Sequence, residues 1–353
     1  MTVQNINNGK VVKRVPKDAE HIYGIVDADN IPIDIPCIVA IGGGKSTTRR
    51  HANYYASALN KLFVAHNIDG VSIYSAYKSY VDTNRKDMRA KIFKIAQSLV
   101  PGHFDITNET EYIRDLYQHI IFPRIVNHNG TYFSDAEAAK NLHLVILFTH
   151  CHGAAIVRVF QDMMLSDMLK YGYKKQAIPQ IMKQLLVVQH APLGPLTRSL
   201  FNTVSFMSAN DPYVYTNFDN AFAKYASVNS GDMLPSYFTA GNLFAATALT
   251  TKNMTHEHDL VDFSLDIDSP DLSPDGKIII TAERNTIING AKSMNLPDLV
   301  PLSAQQLIAP ISKDDKVKPN FNELKTNGDA FMAMMKNDIK QEYAQTNAMV
   351  KNL

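Results

Sequence analysis

The chain has 353 residues, 45% hydrophobic and 20% charged, with 35 basic against 34 acidic side chains and a formal net charge of +1. At ~100–200 residues per domain, this fits one large domain with insertions or two ordinary ones, with apolar residues enough for a sizeable core. The balanced charge excludes a global field for nucleic acid or an anionic membrane, and the basic pairs Arg49-Arg50 and Lys174-Lys175 read as solvated surface.

Two cysteines, Cys37 and Cys151, make no disulfide framework and suit a reducing compartment. The opening "MTVQNINNGKVVKRVPKDAEH" lacks the apolar core of a signal peptide. No stretch reaches the ~18–20 apolar residues of a membrane span. A soluble, cytoplasmic protein is expected, and export without a cleaved signal stays open.

Residues 1–30 read as an N-terminal arm, loose over 1–20. "IPCIVAI" is a short apolar run rich in β-branched residues, hence a buried strand, and it ends at Gly42-Gly43-Gly44. Residues 48–66 read as a helix with Tyr55, Leu59, Leu62 and Phe63 on one face. "GVSIYSAY" is the next strand. Residues 85–141 read as mostly helical: "MRAKIFKIAQSLV" stops at Pro101-Gly102 and "EYIRDLYQHIIF" at Pro123. The strand "LHLVILF" follows over 142–148. After Gly153, Ile156, Val157, Phe160, Met163, Met164, Met168 and Leu169 recur at helical spacing up to a capping Gly172. "QLLVVQHAP" (184–192) and "TVSFMSANDP" (203–212) are two further strands, each ending in a polar loop.

"NLFAATALTTKNMTHEHDL" fits helix or strand, and "DGKIIITAE" (275–283) resembles a hairpin arm. Residues 313–325 read as a polar linker, and "DAFMAMMKNDIKQEYAQTNAMV" as a terminal helix with a Met- and Phe-bearing side. The expected division is an arm over 1–30, a main domain over 31–310 with a helical insertion at about 82–141, and a linker with a C-terminal helix over 311–353. Strands alternating with helices and long crossovers predict an α/β fold: a mainly parallel central sheet with helices on both faces.

The stretch "LVILFTHCHGAAIVRV" concentrates the chemistry. A buried strand delivers Cys151 to a sharp turn from which a helix leaves. In the nucleophile-elbow pattern G-x-S-x-G, small residues flank the nucleophile two before and two after. Here Thr149 and Gly153 hold those places, and Thr149 is larger than the usual glycine. A thiolate is the attacking form of cysteine, and a helix N-terminus favours an anion through its unpaired N–H groups. His150 and His152 flank Cys151 but point away from it in an extended chain. They are expected to line the pocket or to pack.

At this point the chain resembles the α/β-hydrolase superfamily, over roughly residues 31–260. The resemblance rests on order as well as motif: a glycine loop after an early strand, the elbow in mid-chain, an acid after a later strand, and a histidine last. This chain offers Gly42-Gly43-Gly44, then Cys151, then Asp211 in "SANDPYV", then His256 and His258 in "MTHEHDLV". Most members use serine; cysteine members include dienelactone hydrolases. The resemblance implies that Cys151 attacks a carbonyl, that His258 or His256 moves the proton, and that Asp211 holds the imidazole, with Asp219 as the reserve acid. His258 directly precedes an apolar helix-like run and is preferred. The backbone N–H of His152, with that of Gly43 or Gly44, would form the oxyanion hole, each donor worth ~3–4 kcal/mol of barrier. The helical insertion would cap the pocket. An ester, thioester or amide is the expected substrate, with hydrolysis or acyl transfer as the outcome and no cofactor or metal. The oligomeric state stays open.

The alternatives are a buried structural Cys151 in a non-catalytic, α/β-hydrolase-like binding protein, and a metal-dependent hydrolase. Cys37, inside an apolar run, and His190, ending "LLVVQH", read as core. "GGGKST" fails the phosphate-loop pattern G-x-x-x-x-G-K-[ST] because Val39 stands at its first glycine. "THCHGAA" resembles the T-H-x-H-x-D-H motif of metallo-β-lactamase-like hydrolases, but Ala154 and Ala155 replace its D-H ligands. His256 and His258, at H-x-H spacing, leave the zinc reading as a minor alternative.

Overall fold

The computed structural model describes residues 10–14, 23–27, 31–42, 49–76, 110–192, 199–208, 243–246 and 274–295. The strands are β1 Lys10–Arg14, β2 Tyr23–Asp27, β3 Cys37–Ile41, β4 Ser72–Ala76, β5 Val145–His150, β6 Leu186–His190, β7 Asn202–Ser208 and β8 Leu243–Ala246. The helices are α1 Arg49–Ala65, α2 Thr110–Ile120, α3 Asp135–His143, α4 His152–Lys170, α5 Ile178–Met182 and α6 Pro274–Ser293.

All eight strands form one sheet in the order β2-β1-β4-β3-β5-β6-β7-β8. From β4 to β8 every neighbouring pair is parallel. At the other edge β1 runs antiparallel to both β4 and β2. The mainly parallel α/β sheet expected from the alternating apolar runs is therefore present. β1 and β2 come from the segment read as an arm. Their "KVVKR" and "YGIVD" are short, carry charged ends, and suit the edge of a sheet.

Both faces of the central strands are covered, which is why their sequences are continuously apolar rather than alternating. Successive side chains point to opposite faces. Val39, Ile41, Val145, Leu147 and Val187 join one core with Leu116 and Ile120 of α2, Leu142 of α3, Phe160 and Met164 of α4, and Ile181 of α5. Ile38, Ala40, Ile146, Phe148, Val188 and Phe206 join a second core with Leu59, Leu62 and Phe63 of α1 and Ile287, Ile288 and Ala291 of α6. Parallel neighbours need crossovers, and the helices that make them supply the two layers.

Local chemistry sets the helix ends. Ser134 caps α3: its Oγ accepts from the Glu137 N–H, and Glu137 Oε2 accepts from the Ser134 N–H at 3.0 Å. After α4, Gly172 takes a φ of +92°, the left-handed conformation that ends a helix without a Cβ penalty. Among the described residues, no helix is long and apolar enough to cross a membrane.

One reading is corrected. Residues 275–283, expected as a hairpin arm, lie in helix α6. The run Ile278-Ile279-Ile280 carries a strong β propensity. However, Pro274 opens the helix, and the buried positions Ile280, Glu283, Ile287, Ala291 and Met294 recur at helical spacing against the sheet. Packing outweighs propensity here. Residues 82–109 of the expected helical insertion, the glycines at 43 and 44, and the linker and C-terminal helix lie outside the described residues.

Helix α6 is held by polar contacts as well as apolar ones. His190 Nδ1 of β6 lies 2.9 Å from both carboxylate oxygens of Glu283, and neither side chain is exposed. A carboxylate only accepts, so Nδ1 carries the proton. At the other end of α6, His143 Nε2 bonds to the carbonyl of Ser293 at 2.9 Å. Removing one member of a buried pair leaves the other uncompensated, at a cost of about 3–5 kcal/mol. His190→Ala, which strands the Glu283 carboxylate, is expected to lose that much stability in urea unfolding. Glu283→Gln keeps an acceptor for Nδ1 and is expected to lose clearly less.

Candidate functional site

Strand β5 sits between β3 and β6, and Cys151 follows its last residue. Its backbone takes φ 51° and ψ −121° before helix α4 begins at His152. Those are the dihedrals of the first central residue of a type II′ turn, a place that glycine normally holds. A side chain there is strained by about 1–3 kcal/mol, and such strain persists only where the surroundings impose it.

Two contacts impose it. The Cys151 N–H donates to the His190 carbonyl at 3.2 Å, which fastens the turn to β6. The Ala154 N–H donates to the Cys151 carbonyl at 3.1 Å, which closes the first turn of α4. On the other side, a Cβ on Gly153 would lie 2.1 Å from the Ile41 carbonyl oxygen and 3.3 Å from that of Gly42. The start of α4 therefore rests directly on the end of β3, and only glycine leaves room. This is the close backbone approach that the small position two after an elbow nucleophile serves. The position two before it, Thr149, is fully buried, and its hydroxyl has no hydrogen-bond partner among the described residues. Ala191, one residue beyond β6, also has a positive φ, 41°, so two strained non-glycine residues share this carboxyl edge.

Cys151 is only 7% exposed. His150 is buried toward α1: its Nδ1 and the Tyr55 Oη share a hydrogen bond of 3.1 Å. Its ring meets that of His190 edge-on, with centroids 5.7 Å apart. Tyr55, His150, His190 and Glu283 thus form a buried polar row on the α1 and α6 side of the sheet, beside the elbow. Sequence reading separated these residues. Tyr55 reads as part of a helix's apolar face and Glu283 as the end of a hairpin arm, so no local signal joins them.

The backbone of His152 opens α4. Gly43, Gly44, Asp211, Asp219, His256 and His258 lie outside the described residues. Among the described residues, no group of three or more His, Cys, Asp or Glu side chains is arranged to hold a metal ion.

No protein-family model matches the chain, and no curated protein matches it. A solved structure from Lactobacillus plantarum WCFS1, described as "a putative carboxylesterase", is similar at a TM-score of 0.28 and 16% identity, over 56% of this chain and 73% of that one. The α/β architecture stands on the sheet order and the two helical layers.

Substitutions at two positions test the turn. Gly→Ala inside a helix ordinarily stabilises by about 1 kcal/mol. Gly153→Ala is expected to do the reverse and to lower the melting temperature, because the Ile41 carbonyl is backbone and the strand must move. At Cys151 the preference inverts: Cys151→Gly, free of the positive-φ strain, is expected to be more stable than Cys151→Ala in denaturant titration.

Proposed function

We propose that the protein is an α/β-hydrolase-like enzyme in which Cys151 attacks the carbonyl carbon of an ester, thioester or amide. The observation that carries this reading is the strained, positive-φ conformation of Cys151 at a strand-to-helix turn, at the carboxyl edge of a central parallel strand. Strain of that kind clusters at reactive residues. Open parallel sheets also bind ligands outside the carboxyl ends of their strands.

In this scheme the sulfur adds to the carbonyl and the oxyanion takes hydrogen bonds from the backbone N–H of His152 and of Gly43 or Gly44. His258, with His256 as the alternative, takes the thiol proton and returns it to the leaving group, and Asp211 keeps the imidazole in its working tautomer. The acyl group is left as a thioester on Cys151. Water or another acceptor then adds to it, giving hydrolysis or acyl transfer. No metal or cofactor takes part.

The near-complete burial of Cys151 favours a second reading, a non-catalytic relative that binds a ligand or partner at the same edge. The two readings separate on one reagent. In the enzyme, iodoacetamide at neutral pH alkylates Cys151 and abolishes turnover in proportion. In the binding protein, the thiol stays inert. Bound zinc together with equal, additive losses at His256→Ala and His258→Ala would support a metal-dependent hydrolase instead.

Cys151→Ala is expected to lower turnover of an activated ester or thioester by about 10⁴-fold or more while the fold persists. Asp211→Asn is expected to cost less, because the acid orients and does not attack. One of the two late histidines, and only one, is expected to match the cysteine variant, and combining it with Cys151→Ala should add little. Full activity in Cys151→Ala overturns the scheme.

A further inference from the structure

Arg124 stands in a short 3₁₀ turn, Phe122–Arg124, and is completely buried. Its guanidinium makes three hydrogen bonds. Nη1 donates to the Ile120 carbonyl. Nη2 donates to the Pro32 carbonyl at 3.0 Å and to Cys37 Sγ at 3.5 Å. Its Nε has no partner among the described residues. Around it lie α2, the start of β3 with Cys37, and Tyr74 of β4. The Asn141 side chain of α3 reaches only its carbonyl, at 3.4 Å. Among the described residues, no carboxylate pairs with Arg124.

An arginine keeps its proton in proteins, and an unpaired charge in the core is very costly. Burial pushes the guanidinium pKa down, and Cys37 first, then Tyr74, would pull it back up if ionised. Among the described residues, a counter-charge can come from a group beside it that sheds a proton. Two such groups act on it: Cys37, whose sulfur accepts from Nη2, and Tyr74. Burial first, then Cys37, pushes the Tyr74 hydroxyl up to about 12, with Ser72 and Arg124 opposing, so the phenol stays neutral near pH 7. A free thiol ionises near ~8.5, well before a phenol.

We propose that Cys37 is held as a thiolate, ion-paired in the core with the Arg124 guanidinium. The pair lies at the amino end of β3, four residues from Ile41, or about 13 Å at ~3.3 Å per residue. It belongs to the opposite edge of the sheet from Cys151. It is independent of the proposed catalytic role of Cys151: neither result decides the other.

The thiolate is read directly in Cys151→Ala, where Cys37 is the one cysteine left. Labelling that variant with cysteine carrying ¹³C at Cβ gives a single resonance. The expected result is a thiolate-like shift at pH 7 that stays flat between pH 6 and 9 and reverts to the thiol value when the chain is unfolded at pH 7. A thiol-like shift in the folded protein at pH 7, or a titration step in the free-thiol range, overturns the proposal. A double-mutant cycle gives a second readout. Cys37→Val leaves the guanidinium alone and should move the denaturant midpoint down sharply, whereas Arg124→Met lets the thiol take its proton. Adding Arg124→Met to Cys37→Val should recover most of the lost midpoint. Additive losses would also overturn the pair. Should Cys37→Val fail to fold, the resonance still decides, because it needs neither partner altered.

Discussion

The contact on which the rest of the site depends is the one between Gly153 and the end of β3. The missing Cβ lets the first turn of α4 come down onto the Ile41 carbonyl. With the helix start fixed there, the chain leaving β5 has a single residue in which to reverse. That residue is Cys151, and the reversal forces its φ positive. The hydrogen bond from its N–H to the His190 carbonyl closes the other side. The turn is thus defined by both strands that flank β5, and neither the helix nor the strand can shift without breaking a contact to the other.

The two faces of the sheet divide the remaining work. On the α2–α5 side the packing beside the elbow is apolar, with Thr149 the buried exception. On the α1 and α6 side the apolar stripe of Ile146 and Phe148 ends in His150, and that of Val188 ends in His190. The two histidines are paired in register across β5 and β6. Each takes a partner from a different helix, Tyr55 from α1 and Glu283 from α6. A half-satisfied polar group here would cost more than an apolar one, so the partners secure the rotamers and, through them, the helix positions. The polar row stands beside the strained turn because this is where the apolar stripes run out and the backbone of β6 must accept from Cys151.

Much of this is legible in the sequence. The central strands announce themselves as apolar runs bounded by glycine or polar loops, and α1 and α4 as apolar residues at helical spacing. The tight turn follows from seam chemistry, since small residues such as Gly153 and Ala154 directly behind Cys151 at the end of a buried strand suit a sharp reversal. What was not legible depends on contacts distant in sequence. The isoleucine triplet in α6 has the composition of a strand, and only docking on β5 and β6 shows the helical stripe; Gly290, whose Cβ would lie 2.4 Å from a Leu186 methyl, marks how closely it docks. The edge strands β1 and β2 are short and charged, so their pattern is that of any polar arm. The Tyr55 and Glu283 partners lie 95 and 93 residues from their histidines, beyond the reach of any local pattern.

The two cysteines show how a single residue type is given different work by its surroundings. Cys37 begins β3, where the strand enters the core, and its sulfur faces a guanidinium whose other partners among the described residues are carbonyls. Its backbone is ordinary strand and its demands are electrostatic. Cys151 ends β5, where the chain leaves the core. The neighbours that constrain it act on its backbone, through the His190 carbonyl and the Ala154 N–H, and its strain is conformational. A residue kept for packing alone would be better placed in relaxed backbone, and at Cys151 glycine would satisfy the turn with no strain at all. The side chain is what the strain retains: a sulfur at the carboxyl edge of a parallel sheet, at the start of a nineteen-residue helix, which is the position that the proposed nucleophile requires.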